Sequence, residues 1–474
     1  DHAIPRNPDY LELGFGQGLS LAIHAATSSG RFFGNDFNPA QVANAMEMAA
    51  ATGRAVGVFE DSFEELARRT DLPQFDIIAL HGIWSWISDS GREAIVEIAR
   101  RMLKPGGALY VSYNVVTGWA PIMPMRTLMA EYEKRAASGQ LSDRIGQSLN
   151  FVQRLRDAEA KFFVQNPRAG THLDGIRKHN QNYLAHEYYN ANWHPTTIAA
   201  VSDQLAEAKL SYATSATILE TLPGISAPVS ANEILKDIHD PILRELTRDT
   251  FLNQMFRRDI YVKGPRTLTQ HEAVRRIDLS RFILVGEPDK RPLSVKTNFG
   301  DAELRPDIYD PIVNAIVKAQ AGTVQVGQML ASGDLGSLSR NQVWQAMQML
   351  VAAGFIAPAS QSTNPAADEA ASRGLNKLLL DRAEADDCAG SLAAPRIGGA
   401  IGVNRIEQMF MRAIKAGDKQ PVESVFRGLS QLGQKIVVGG KQTETDEEMR
   451  SGLAEIHEAF RTRKVDILKR VGAW

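Results

Sequence analysis

The chain has a single cysteine, Cys388, in 474 residues. A lone thiol forms no internal disulfide and fits a reducing compartment, so a cytoplasmic location is expected. With no cysteine cluster and its 10 histidines scattered, the sequence offers no zinc spacing, and no metal is expected. An excess of one charge is missing as well. The 53 basic and 55 acidic residues leave a net charge of −2, which points neither to nucleic acid nor to an anionic membrane surface. No uninterrupted apolar run approaches the roughly 18–20 residues needed to span a bilayer. What remains is ordinary for a globular protein, at 44% hydrophobic and 23% charged residues. The length exceeds what one core serves, so about two to four domains are expected. The chain opens at Asp1 and enters its first strand almost at once, so a preceding segment is expected.

The most informative stretch that is present is Tyr10-Leu-Glu-Leu-Gly-Phe-Gly-Gln-Gly18, an apolar strand running into glycines at alternate positions. Eighteen residues after Gly18, a second strand-like run, Arg31-Phe-Phe-Gly-Asn-Asp36, ends in an acid. A strand, a glycine turn, a helix, a strand and an acid form the site with which an α/β sheet holds an adenosine-type cofactor. The glycines allow close main-chain approach and the acid accepts from ribose hydroxyls. A dinucleotide site wants its third glycine one place later, where this chain has Leu19. The G-x-G-x-G form, with Glu12 two residues ahead of Gly14, instead suits an S-adenosylmethionine (SAM) site. A P-loop is excluded here, because no Gly-Lys-Ser/Thr follows.

Strand and helix signals alternate through the first 120 residues, predicting a Rossmann-like parallel sheet over 1–120. Its strands are read at 10–13, up to Asp36, at 55–60, 75–80 and 108–114. Asn38 caps the second helix with Pro39 at its first position, and Lys104-Pro-Gly-Gly107 stops the helix over 90–103. The pattern then turns helical and charged, predicting a helical insertion or lid over 121–200 beside the ligand-binding end of the strands. Remaining core strands are expected within 201–265, from the runs 210–218 and 257–263. Residues 266–357 read as a regulatory region with a winged-helix-like unit, whose third helix starts near Leu338. Residues 358–372, rich in Ala, Ser, Pro and Asn, read as a linker, and 373–474 as a mainly helical C-terminal domain.

Candidate residues cluster at strand ends. Gly14, Gly16, Gly18, Glu12 and Asp36 are assigned to the donor, although Asp36 also suits a helix cap. Asp61, Ser62 and Phe63 end the third strand, where an acid accepts from an adenine amino group and an apolar ring packs on the base. His81 ends the fourth strand, near where the methionine part of the donor would lie, and reads equally as a hydrogen-bonded loop histidine. Tyr113 and Asn114 end the fifth strand; their phenol and amide suit an acceptor amine, or a structural role. Trp84, Trp86 and Trp119 read most simply as packing, with a cation–π role for one of them as the lesser reading. His186 and Glu187 reach the acceptor if the insertion closes over the donor; otherwise they lie on an exposed face. Two motifs are discounted. Ile397-Gly-Gly-Ala-Ile-Gly402 lacks a phosphate-binding lysine and reads as a turn, and the helix from Leu338 carries only Arg340 as a basic residue, poor for DNA.

These segments resemble the class I methyltransferases that carry a methyltransferase regulatory domain, including bacterial protein-lysine methyltransferases of the rickettsial type. The resemblance rests on the glycine motif, Gly34-Asn-Asp-Phe-Asn-Pro39, Leu80-His-Gly-Ile-Trp-Ser-Trp86, Lys104-Pro-Gly-Gly107, Val111-Ser-Tyr-Asn114 with Gly118-Trp119, His186-Glu-Tyr-Tyr-Asn190 and Phe256-Arg-Arg-Asp-Ile-Tyr-Val-Lys-Gly264. Phe15 and Val115-Val-Thr117 depart from the family's usual residues. The resemblance implies SAM as methyl donor and S-adenosylhomocysteine (AdoHcy) as product, a homodimeric tendency, and lysine side chains as acceptors. Transfer from a sulfonium is an in-line displacement, in which positioning and exclusion of water do most of the work. That requirement explains why neither a catalytic triad nor a metal motif is visible. Methylation of a small metabolite is the alternative enzyme reading. A catalytically silent methyltransferase-like protein that binds a partner is the alternative from another class.

Overall fold

The computed structural model describes residues 5–222, 224–319, 322–385 and 389–474; Cys388 lies outside them. Seven strands form the central sheet: β1 (Asp9–Leu13), β2 (Arg31–Asn35), β3 (Val56–Phe59), β4 (Phe75–Leu80), β5 (Leu103–Asn114), β6 (Leu210–Ser215) and β7 (Phe256–Lys263). Their order is β3-β2-β1-β4-β5-β7-β6. Strands β1 to β5 are parallel, and β7 runs antiparallel to both its neighbours. This is the Rossmann-like methyltransferase sheet that the strand and helix signals predict. The order reverses between β1 and β4, and an open α/β sheet has its crevice at the carboxyl ends of such a pair.

Local signals set the first helices. α1 (Leu19–Thr27) starts at Gly18, and α2 (Pro39–Ala51) starts where the Asn38 side chain accepts from the Ala40 amide. α3 (Phe63–Arg68) carries a reciprocal cap between Ser62 and Glu65, and α4 (Asp89–Met102) is capped by Ser88. Lys104-Pro-Gly-Gly107 does end α4, but it bulges within β5. Phe75 pairs with Leu103 while Ile77 pairs with Ala108, so the intervening residues leave the ladder. The Lys104 ammonium there lies 2.9 Å from Asp9 and 2.8 Å from Asp76, tying the bulge to β1 and β4.

The helical insertion leaves and returns at one place. The Val116 amide donates to the Thr196 carbonyl at 2.9 Å, and the Thr196 amide donates to the Asn114 carbonyl at 2.9 Å. Because its two ends meet, the excursion leaves the sheet undisturbed, and β6 and β7 complete it afterwards. The insertion has its own apolar centre, including Met125, Met129, Ile145, Val152 and Leu173.

Farther along, helices Pro306–Lys318, Val326–Ala331 and Arg340–Ala352 follow one another and lead into the strand Ile356–Pro358. That order matches the winged-helix reading; the remainder differs. The middle strand of the small sheet is the earlier segment Arg281–Leu284, and Ile356–Pro358 leads on to another helix rather than to a hairpin wing. Arg340 is held by Asp278 at 2.8 Å. The stretch 358–372, read as a linker, becomes helical at Pro365, in the helix Pro365–Arg382. Its alanines suit close packing against α1 as well as they suit a linker. Asp368 there is fully buried and paired with Arg54 at 2.5 Å. The rest of the C-terminal region is mainly helical, and residues 397–402 lie in the turn and second strand of a hairpin. Ala22, Ile23 and Ala26 of α1 and Met48 of α2 share one apolar core with Leu375, Leu379 and Phe410.

Candidate active site

A cleft of about 880 Å³ lies at the carboxyl ends of the strands and reaches the helical insertion. It is open to solvent, with Phe37 at its lip 76% exposed. Gly14 and Gly16 line one wall. Gly16 has a φ of +56°, and a Cβ there would meet nothing within 4 Å. Its main chain therefore presents an open face that a ligand can approach closely. The loop is held from beneath by a 2.9 Å hydrogen bond from the Gly14 amide to the Asn35 carbonyl. Gly18 does not line the cleft. Its φ is +78°, and a Cβ would come within 2.5 Å of Ala45, so this glycine lets α1 pack on α2.

Asp36 is buried and lines the cleft. Its Oδ2 accepts from the Gly16 amide at 2.9 Å and its Oδ1 from the Asn38 amide at 3.0 Å. The acid thus braces the loop and the start of α2, while each oxygen keeps a second lone pair. Glu12 is placed differently from the sequence reading. It is buried behind the loop, accepts from Tyr10 at 3.0 Å and from Ser20, and does not line the cleft. Its burial raises its pKa. Asp61, Ser62 and Phe63 line the cleft together. Arg69 donates to Asp61 Oδ2 at 2.8 Å, whereas the Ser62 hydroxyl is taken by the cap of α3.

His81 lines the cleft with Nδ1 2.8 Å from the Tyr110 hydroxyl. Desolvation and the neighbouring Arg258 lower its pKa, so the ring is neutral at pH 7. Asn114 also lines the cleft; its amide nitrogen Nδ2 is buried without a hydrogen-bond partner, as is Oδ1 of Asn35. Such orphaned polar atoms at a cleft wall suit an incoming ligand. Side chains alternate along β5, so its neighbour Tyr113 turns to the other face. There Tyr113 donates to Asp259 at 2.5 Å, within a buried cluster in which Arg257 pairs with Asp259, Asp249 and Glu245. Tyr113 belongs to that structural network and not to the cleft. Trp119 is likewise outside it, packed edge-on against Trp193 at 5.1 Å in the centre of the insertion.

His186 and Glu187 of the helix Gln181–Tyr188 do reach the cleft. Burial raises the pKa of Glu187, which has no hydrogen-bond or ion-pair partner among the described residues. The charged residues lining the cleft are Asp36, Asp61, Glu64 and Glu187; no Lys or Arg lines it. Sequence reasoning missed Asn35, Phe37, Asn190 and Phe256 in this lining, and gave Trp86, which also lines it, a cation–π role only as a lesser reading. Asn35 had a usable signal, since it is the last residue of a strand that ends at the cleft. Phe256 had none, because the strand is legible from 257 onward but nothing local says that its first residue arrives beside Asn114 at the end of β5. Among the described residues no group of three or more His, Cys, Asp or Glu is placed to hold a metal ion.

Comparisons with known proteins bear on this geometry. The methyltransferase domain family matches residues 11–107, and the family described as a predicted methyltransferase regulatory domain matches 180–263. Protein sll1526 of Synechocystis is 34% identical over 471 residues, covering 99% of this chain and 92% of its own. The chain belongs to this family of class I, SAM-dependent methyltransferases with a regulatory domain. A second relative of this methyltransferase, RP789 of Rickettsia prowazekii, is 24% identical over 59% of this chain and 50% of its own. The fold is also that of PKMT2 from Rickettsia typhi in complex with AdoHcy, at a TM-score of 0.68 and 16% identity, covering 100% of this chain and 95% of the other.

Proposed function

We propose that this methyltransferase N-methylates lysine side chains of proteins, with donor and acceptor meeting in the cleft at the carboxyl ends of β1, β4 and β5. The observation that carries the reading is the sign of the wall. Four carboxylates and no Lys or Arg line it, so its potential favours a cationic donor and an acceptor that arrives as an ammonium. A cleft open to solvent also admits a side chain still attached to a polypeptide. The likeness to PKMT2 of Rickettsia typhi agrees with this reading.

The residues present fit the donor. Gly14 and Gly16 offer a main-chain cradle; Asp36 accepts from ribose hydroxyls with its spare lone pairs; Asp61 accepts from the adenine amino group through Oδ1, which has no protein partner; and Phe63 packs on the base. When bound, SAM supplies an electrophilic methyl on a sulfonium. On the acceptor side, Asn114 Nδ2 and the neutral His81 ring hold polar partners in place, and Glu187 attracts the ammonium. The acceptor must lose its proton before it can act as a nucleophile, and a lysine gives it up near pH 10.4 in water. Activity is therefore expected to climb with pH well past neutrality. The homodimer that the family resemblance implies is part of the same proposal.

The test is incubation of the full chain with labelled SAM and a lysate of its source cell, followed by mass spectrometry. Label on lysine side chains is the expected result. Label confined to the small-molecule fraction would contradict the protein acceptor, and tight AdoHcy binding without any labelled product would contradict turnover.

A further inference from the structure

The glycine loop is held from both sides, and one of its supports comes from the far end of the chain. On the cleft side Asp36 accepts from the Gly16 amide at 2.9 Å. On the other side the Asn44 amide nitrogen donates to the Gln17 carbonyl at 2.8 Å and to Gln17 Oε1 at 2.9 Å. Asn44 is in turn held by Arg382, the last residue of the helix Pro365–Arg382, whose Nη1 donates to Asn44 Oδ1 at 2.8 Å. The second Arg382 nitrogen, Nη2, lies 2.6 Å from Glu47, one turn along α2. The planar fork thus grips α2 at two points, a geometry that an ammonium does not reproduce. The next residue, Ala45, leaves no room for a Cβ on Gly18, so α2 also fixes the end of the loop through packing. The helix that carries Arg382 shares its apolar core with α1 and α2.

We propose that Arg382 is a positioning residue for the methyl donor, acting through Asn44 on the Gln17 carbonyl to keep the glycine loop in its binding shape. The C-terminal region then does more than stabilise the fold: it sets donor affinity, through a relay that its own movement would release. Freed from Asn44, the Gln17 peptide can rotate, and a loop that must be ordered again on binding lowers affinity. Chemistry at a saturated site is untouched, because no link of the relay faces the acceptor. The inference rests on the donor lying in the cleft described above.

The experiment is calorimetric titration of the full chain with AdoHcy, alongside initial rates at varied SAM. Arg382→Ala and Asn44→Ala are each expected to weaken AdoHcy about three- to tenfold, the loss of one hydrogen bond. KM for SAM rises by the same factor and kcat at saturating donor is kept. The double variant is expected to be no weaker than the worse single one, since both cut the same relay. Arg382→Lys is expected to fall between wild type and Arg382→Ala. Arg450→Ala, which removes an arginine held by Glu423 and Phe426 elsewhere in the same region, is expected to bind AdoHcy as wild type does. Equal weakening by Arg450→Ala and Arg382→Ala would reduce the effect to general destabilisation and overturn the relay. So would wild-type affinity in Arg382→Ala together with weakened binding in Asp36→Ala. Wild-type affinity in both Arg382→Ala and Asp36→Ala would instead remove the donor from this cleft.

Discussion

The glycine loop over 14–18 and the helix Gln181–Tyr188 line one cleft, yet they are held in opposite ways. Around the loop the Gly14, Gly16 and Gly18 amides donate to Asn35, Asp36 and Phe15, and the Gln17 carbonyl accepts from Asn44. Across the cleft, Asn114 keeps an unpartnered amide nitrogen, and Glu187 has no hydrogen-bond or ion-pair partner among the described residues. The main chain of the loop is fixed before a ligand arrives, with Asn35 Oδ1 and Asp61 Oδ1 beside it left for the donor, whereas the facing wall offers Asn114 and Glu187 side chains that nothing yet holds. Preorganisation lowers the cost of binding, which suits the donor common to every turnover. Unsatisfied groups reward only the ligand that completes them, which suits the selection of an acceptor.

The contrast is broken most severely by changing the loop side. Gly18→Val combines a left-handed backbone with a clash at Ala45, and unfolding in urea is expected to show a loss of about 3 kcal/mol. Unchanged stability would mean that α1 and α2 are not locked together through this residue. Asp36→Ala is expected to weaken AdoHcy by roughly 1.5–3 kcal/mol, the scale of a charge-assisted hydrogen bond. Calorimetry showing wild-type affinity in the folded variant would remove Asp36 from the ribose role.

The neighbours Tyr113 and Asn114 sharpen the comparison, because they leave opposite faces of β5. Tyr113→Phe takes a donor from the buried Asp259, and a stability loss of about 1–2 kcal/mol with unchanged kcat is expected. Asn114→Ala is expected to keep stability and lower kcat/KM about tenfold, as loss of a polar contact to the acceptor. An exchange of those two outcomes would reverse the placement of the pair. The smallest effect is expected at Glu187. Burial raises its pKa, so it ionises at a higher pH than an exposed glutamate, and attraction of a cationic acceptor is gained as pH rises through that point. Glu187→Gln is expected to flatten this acidic limb of the kcat/KM profile and to lower the plateau about threefold. A profile identical to wild type would leave Glu187 without a role.

How much was legible follows the same division. The donor wall is written in consecutive residues, since a strand, its turn and the cap of the next helix are local chemistry. Asp36, Asp61 and Phe63 line the cleft from positions that the strand ends dictate. Glu12 was misplaced because alternation along β1 fixes its face but not how deep it lies beneath the loop. On the other wall, the strand end at 113–114 was legible, but which of the two residues faces the cleft depends on β7 arriving beside β5 from 142 residues later. Trp119 packs against Trp193, a partner that only the closed insertion provides. The stretch 358–372 misled because small residues that loosen a linker also let the helix Pro365–Arg382 lie close against α1.

A crystal structure of the full chain grown with AdoHcy bears most directly on the central claim. The account predicts the ribose on Asp36, the adenine between Asp61 and Phe63, and the sulfur end directed toward His81 and Asn114. AdoHcy bound at another face, with the cleft between the loop over 14–18 and Glu187 empty, would contradict it.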